Sequence, residues 1–297
     1  MKQVLVGATL PQFTDDPDKL LDGARRAEAL GLDSIWLFDH LWPLTGGRQR
    51  PIFECWGTLA WLAAATERIR IGTLVTRSTL RHPAVLAKMA ATVATIAPGR
   101  VTIAIGSGDE VSRKENEAYG IAYREGDERI GQLVSTVRVV RDYLQSPTVS
   151  FDDDFVSIHD LPSSPAPDPA PTLWVGGRSD DVLETAARVA DGWNGWGGTA
   201  RRFREDAVSV AEYAAERDVE LSWGGLVMLG ETDAAARGKM GDRNPKEWIV
   251  GGPETVAGRL SEFVEAGARH VVATFPDPGA PGIYELLAER VRPAIGG

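Results

Sequence analysis

Asp39 and His40 set a carboxylate beside an imidazole, and an imidazole with an unperturbed pKa of about 6.5 is suited to proton transfer near neutral pH. A hydrogen-bonded structural histidine reads the same in an isolated pair. Gly106-Ser107-Gly108-Asp109 joins two glycines, which let backbone approach a ligand, to a side chain that accepts a hydrogen bond or acts as an acid. A plain tight turn has the same composition. Gly176-Gly177-Arg178-Ser179 stands just before a helical stretch. The free N–H groups and positive dipole end of that helix suit a phosphate, with Arg178 adding charge; a glycine turn with no phosphate is the alternative. Gly72-Thr73-Leu74-Val75-Thr76 closes an apolar run, and Arg81-His82-Pro83 opens the next helix, where proline fits the first turn.

These stretches sit at the ends of strand-like runs that alternate with segments of helical period, the pattern of a parallel α/β sheet. Strands are expected at 4–9, 34–38, 69–75, 101–105, 172–175, 192–195, 221–229 and 270–274. Helices are expected at 18–30, 55–66, from Pro83 to the Pro98-Gly99 turn, 125–144, 181–190, 202–217, 253–266 and 283–291. Eight strand-helix units favour closure into a (β/α)8 TIM barrel with insertion loops at its C-terminal face, the rim where such barrels carry their sites. An open doubly wound sheet with extra strands fits the same alternation. Residues 149–158 and the proline-rich 162–171 interrupt the pattern and read as an insertion or lid within one domain spanning 1–297.

A length of 297 residues with 43% hydrophobic content supports one large core. The formal net charge of -10, without a Lys/Arg run, argues against a nucleic-acid or anionic-membrane partner. Cys55 is the single cysteine and no Cys/His set has zinc spacing, so neither an intrachain disulfide nor a metal is expected. The chain starts with a strand-like run rather than a secretory signal, and no stretch nears the roughly 20 apolar residues that span a bilayer. A cytoplasmic location is the resulting expectation.

Three segments together identify a resemblance over nearly the whole chain. They are "IGTLVTRSTLRHPAVLAKMAATVATIAPGRVTIAIGSGD" at 71–109, "LDSIWLFDHLWP" at 32–43 and "PTLWVGGRSDDVLETAARVADGWN" at 171–194. They resemble the bacterial luciferase-like (luciferase-like monooxygenase) superfamily, and within it the branch that uses the deazaflavin coenzyme F420. The resemblance implies a cis peptide at Leu74-Val75, a bulge that backs the tricyclic ring. It implies contacts from Asp39 and Thr76 to the ring or its side chain and a cofactor phosphate held by Gly176, Gly177, Arg178 and Ser179, and the turn Gly106, Ser107 and Gly108 is a further candidate contact to the cofactor. His40 is then placed near the reactive face to move a proton, with Asp109 assisting. Phe13, Trp42 and Trp193, together with Phe53, Trp56 and Trp196, are the expected substrate walls, whereas Trp36, Trp61 and Trp174 are expected in the core. Arg77, Arg81 and Arg178 are candidates to offset the acidic tail of F420.

The implied reaction is hydride transfer between F420 and a small organic molecule, since F420 has carbon where FMN has ring nitrogen 5 and its reduced form reacts poorly with oxygen. An FMN-dependent monooxygenase and a non-catalytic barrel that binds flavin or F420 are the other readings. Relatives often form dimers, and the apolar helix at 83–96 offers a homodimer interface as readily as core.

Overall fold

The computed structural model describes residues 3–43, 47 and 49–295. The chain runs β1 (Leu5–Thr9), α1 (Pro17–Ala29), β2 (Ser34–Leu37), α2 (Cys55–Ala65), β3 (Arg70–Thr73), β4 (Thr76–Arg77), α3 (Pro83–Ile96), β5 (Val101–Gly106), α4 (Arg113–Ala118) and α5 (Gly126–Gln145). It continues through β6 (Thr148–Asp152), β7 (Ser157–Pro162), β8 (Thr172–Gly176), α6 (Asp180–Val189), β9 (Gly192–Trp196), α7 (Ala200–Ala214), β10 (Glu220–Leu229), α8 (Asp233–Gly238), β11 (Trp248–Gly251), α9 (Pro253–Glu265), β12 (His270–Thr274) and α10 (Ile283–Glu285). A π-helical turn at Leu286–Val291 follows α10.

Parallel pairing in the order β1-β2-β3-β5-β8-β9-β10-β12, with β12 returning to β1 and β9 joined to β10, closes the barrel. β4 continues the line of β3 beyond Leu74-Val75, whose peptide bond is cis, and pairs with β5. β11, absent from the expected strands, pairs along the outer half of β10 from Leu226↔Trp248 to Leu229↔Gly251. Local chemistry sets several boundaries. Asp16 caps α1 by accepting from the N–H of Asp18 at 3.1 Å, and Pro17 opens its first turn. Gly31, with φ +74, turns the chain out of that helix.

Alternation along the strands divides the interior into two layers. Val6, Ile35, Ile71, Ile103, Leu173 and Val271 face outward into the core shared with the helices. Trp36, Leu74, Ala104, Trp174 and Val272 form a separate cluster in the lumen, with Phe38 and Val75 packed on it. Trp36 and Trp174 stack at 5.1 Å and 21°, and each meets the His270 ring edge-on. Glycine makes room for these indoles: a Cβ on Gly72 would lie 2.4 Å from Trp36, and one on Gly192 would lie 2.5 Å from Trp174. Trp36 and Trp174 are thus core, as expected, but Trp61 is 37% exposed on α2.

The insertion is an antiparallel hairpin of β6 and β7. It is laid on the outer face of the helices: Val156 and Ile158 pack with Val139 of α5, and Phe155 lies against Gly131. The expected lid is therefore a flank attachment, because its apolar residues are satisfied by α5 rather than turned toward the strand ends.

Candidate functional site

The rim at the C-terminal strand ends is apolar below and polar at one side. Its floor consists of Phe38, Leu74, Val75 and Trp196, with Trp196 edge-on to Phe38 at 6.0 Å and Phe13 6.2 Å from Phe38. Three strand positions facing this floor are glycines. A Cβ on Gly106 or Gly176 would lie 2.5 or 3.0 Å from the Val75 methyls, and one on Gly224 would lie 3.2 Å from the Trp196 ring. Trp196 is the most open part of this floor, at 43% exposed. Gln12 ties the first two strand ends together, accepting from the N–H of Phe38 at 2.9 Å and donating to the carbonyls of Phe38 and Phe53.

The polar side grows from the turn after β2. Asp39 is 1% exposed. Its carboxylate accepts from both terminal nitrogens of Arg81, at 2.6 and 3.0 Å, and from the Thr76 hydroxyl, which in turn accepts from the Trp56 indole N–H at 3.0 Å. Burial by itself would lower the pKa of Arg81, but Asp39 outweighs it and the guanidinium is held above its usual range. Arg77 donates through Nε to the Asp39 carbonyl at 3.1 Å and through a terminal nitrogen to Asn116 Oδ1 at 2.9 Å.

His40 is 17% exposed and its Nδ1 lies 2.9 Å from Oε2 of Glu115, which is completely buried. Glu115 Oε1 accepts from the N–H of Leu41 and, at 3.3 Å, from that of Trp42, and lies 3.0 Å from the guanidinium of Arg77. Burial would raise the pKa of this carboxyl. The bonds from His40 and Leu41 and the charge of Arg77 prevail, and hold it below the usual carboxylate range. The acid in contact with His40 is thus Glu115, which sequence reasoning missed.

Asp109 does not fill that place. It is exposed and caps the 3-10 turn Glu110–Ser112, accepting from the N–H and hydroxyl of Ser112 at 3.0 and 2.8 Å. Beside it, Ser107 donates to the carbonyl of Gly108, whose φ is +74.

At the end of β8, Gly176, Gly177, Arg178 and Ser179 lead into α6, whose N-cap residue Ser179 makes no side-chain capping bond. Gly177 has φ +139. Arg178 turns away from this helix start: it donates to the carbonyls of Trp196 and Gly197, both at 3.0 Å, and pairs with Asp206 at 3.1 Å. In this position it braces the β8 and β9 ends. With Arg77 on Glu115 and Arg81 on Asp39 and Glu54, all three arginines suggested for an acidic tail are matched to carboxylates of the chain.

Among the expected substrate walls, Phe13 and Trp196 come together on either side of Phe38, and the guanidinium of Arg50 lies 5.4 Å from the Phe13 ring centre. Trp193 does not join them. It is fully buried on the helix side, 5.0 Å from Phe203, with its N–H on the Gly177 carbonyl, because strand alternation turns it away from the lumen side that Asn194 and Trp196 occupy. Trp56 is likewise 2% exposed core. Trp42 is half-buried beside Glu115, but 44–46 and 48 in the same loop lie outside the described residues. A groove of about 470 Å³ on the barrel flank, lined by Ile130, Val134, Phe155 and Arg188 among others, includes no strand-end residue.

The sequence model of the luciferase-like monooxygenase family matches residues 3–248. An F420-dependent glucose-6-phosphate dehydrogenase of Kineococcus radiotolerans is 30% identical, with 92% of this chain and 90% of that protein covered. In three dimensions the chain is similar to an F420-dependent secondary alcohol dehydrogenase in complex with an F420-acetone adduct, with TM-score 0.83 at 22% identity and all of both chains covered. It is also similar to the coenzyme F420-dependent tetrahydromethanopterin reductase of Methanopyrus kandleri, with TM-score 0.79 at 20% identity, covering 99% of this chain and 100% of that one.

Proposed function

The chain belongs to the luciferase-like monooxygenase family, and we therefore propose that it is an F420-dependent oxidoreductase that moves hydride between the deazaflavin and a small organic molecule. The observation that carries this reading is the rim itself, where an apolar floor cleared of side chains at Gly106, Gly176 and Gly224 lies beside a helix start whose cap residue is unengaged. A planar ring fits the first feature and a phosphate the second.

Leu74 and Val75 would underlie the ring, Asp39 and Thr76 its polar edge, and Gly176, Gly177 and Ser179 the phosphate. Bound F420 would supply the two-electron chemistry by taking or giving hydride. The residues of this chain position the reactants, and His40 takes or returns the balancing proton at Nε2. Phe13, Trp42 and Trp196 shape the space for the substrate.

A second copy of the chain is proposed as partner. α2 has no charged residue and exposes Gly57, Trp61 and Ala64; α3 exposes Val85 and Ile96, and the one charge on its outward face, Lys88, is turned onto the Ser164 carbonyl. A cytoplasmic location suits the buried, unbridged Cys55. No described helix is long and apolar enough to cross a membrane.

Titration of the purified protein with F420 and, separately, with FMN, followed by absorbance and fluorescence, tests the cofactor. Micromolar binding of F420 is expected. Micromolar binding of FMN with none of F420 would overturn the proposal in favour of a flavin monooxygenase.

A further inference from the structure

We propose that Glu115 is a positioning residue that fixes His40 as its Nδ1–H tautomer, leaving Nε2 as the hydrogen-bond acceptor of the site. This inference rests on the reading of His40 as the proton-transfer group.

The two oxygens of Glu115 face different partners. Among the described residues Oε2 meets only His40 Nδ1, at 2.9 Å, whereas Oε1 faces the N–H groups of Leu41 and Trp42 and the guanidinium of Arg77. All of these are donors, so both oxygens must accept, and an ionised carboxylate has only acceptors to offer. The balance of charges keeps Glu115 ionised although it is wholly buried. Nδ1 of His40 therefore carries a proton in either charge state of the ring. In the neutral ring the lone pair is on Nε2, which has no protein hydrogen-bond partner among the described residues.

The clamp is itself held at several points. Asn116, next to Glu115 on α4, accepts from Arg77 at 2.9 Å and donates to Thr79 Oγ1 and the Ala122 carbonyl, both at 3.3 Å. Tyr119 donates to the Leu41 carbonyl at 3.0 Å. The loop bearing His40 and the segment bearing Glu115 are thus tied by contacts that do not pass through the imidazole. A ring held on one nitrogen by a buried carboxylate presents the other in a fixed direction, as a general base requires.

The donors around Oε1 make Glu115→Gln informative. The N–H groups of Leu41 and Trp42 and the positive charge of Arg77 require an oxygen at that position, so the new amide must turn its NH2 toward His40. Nδ1 then becomes the acceptor and the proton moves to Nε2, which removes the acceptor from the open side of the ring.

Two-bond 1H–15N correlation spectra of the cofactor-free protein, labelled in its four histidines, read this directly, with His40 assigned by its absence in His40→Asn. The expected result is the Nδ1–H pattern for neutral His40 in the wild type and the Nε2–H pattern in Glu115→Gln. In turnover with F420 and a substrate, kcat is expected to fall about 10²-fold or more in Glu115→Gln, while F420 affinity stays within about threefold. An Nε2–H pattern in the wild type overturns the proposal and needs no variant to fold. So does a Glu115→Gln protein that keeps the Nδ1–H pattern. Failure of the wider reading appears elsewhere, as absent F420 binding or as unchanged kcat in His40→Asn.

Discussion

Glu115 stays charged inside the protein only while His40 and Leu41 supply donors and Arg77 its charge, so its protonation couples to folding. A carboxyl whose folded pKa lies below its unfolded value contributes stability that is fully present above the unfolded value, near 4.5 for glutamate. That contribution is lost as pH falls through the lower folded value. Urea unfolding followed by tryptophan fluorescence at a series of pH values is expected to show wild-type stability falling below about pH 4.5. Glu115→Gln should be less stable at neutral pH, since it leaves Arg77 buried without its counter-charge, and should have a shallower acid slope. Equal acid slopes would mean that Glu115 titrates alike in the folded and unfolded states. Asp39 and His40 could be singled out from sequence because they adjoin at a strand end. Glu115 could not, because its contact with His40 joins positions 75 residues apart and its setting, Arg113-Lys114-Glu115-Asn116-Glu117, looks like any solvated charge run. Asp109, which from sequence offers either an acceptor or an acid and an assisting role only by family resemblance, is seen as an acceptor that caps the turn at Ser112.

Strand parity decides which aromatic side chains reach the rim. Trp36 and Trp174 turn inward opposite glycines, whereas Trp193, one residue from the inward Asn194, packs on Phe203. Gly72→Ala places a methyl 2.4 Å from Trp36 and 2.8 Å from the Thr102 carbonyl, and is expected to cost about 1–3 kcal/mol, measured by urea denaturation. Gly258→Ala in α9, where a Cβ meets nothing within 4 Å, should instead add roughly 0.5–1 kcal/mol. If both variants were equally stable, close approach at Gly72 would not be the reason for the glycine. The strands of the barrel could be read from sequence because a parallel strand covered on both faces is an unbroken apolar run. β11 was missed because it is four residues long and half-buried, and the β6-β7 hairpin because its alternating exposure resembles a loop. The break at Leu74-Val75 came from family resemblance, since nothing in residue type announces it.

For the molecule as a whole, closure of the barrel leaves the helices as the surface, and on α2 and α3 that surface carries Trp61, Val85 and Ile96 with a single charged side chain, Lys88. A hydrophobic patch of two neighbouring helices suits a twofold interface, in which the same patch serves both copies. Wild-type protein is expected to run as a dimer in light scattering, and the double variant Trp61→Glu, Ile96→Glu as a monomer of unchanged far-ultraviolet circular dichroism. A monomeric wild type at tens of micromolar protein would remove this face as an interface. Beneath the rim, the packed rings of Trp36, Trp174 and His270, each no more than 1% exposed, stop the lumen from end to end. Among the described residues the lumen is therefore closed below the rim. Whatever lodges deepest in such a site arrives first and departs last, so a broad tricycle seated on this floor, as proposed, would enter ahead of the smaller reactant that covers it and would impose an order on turnover.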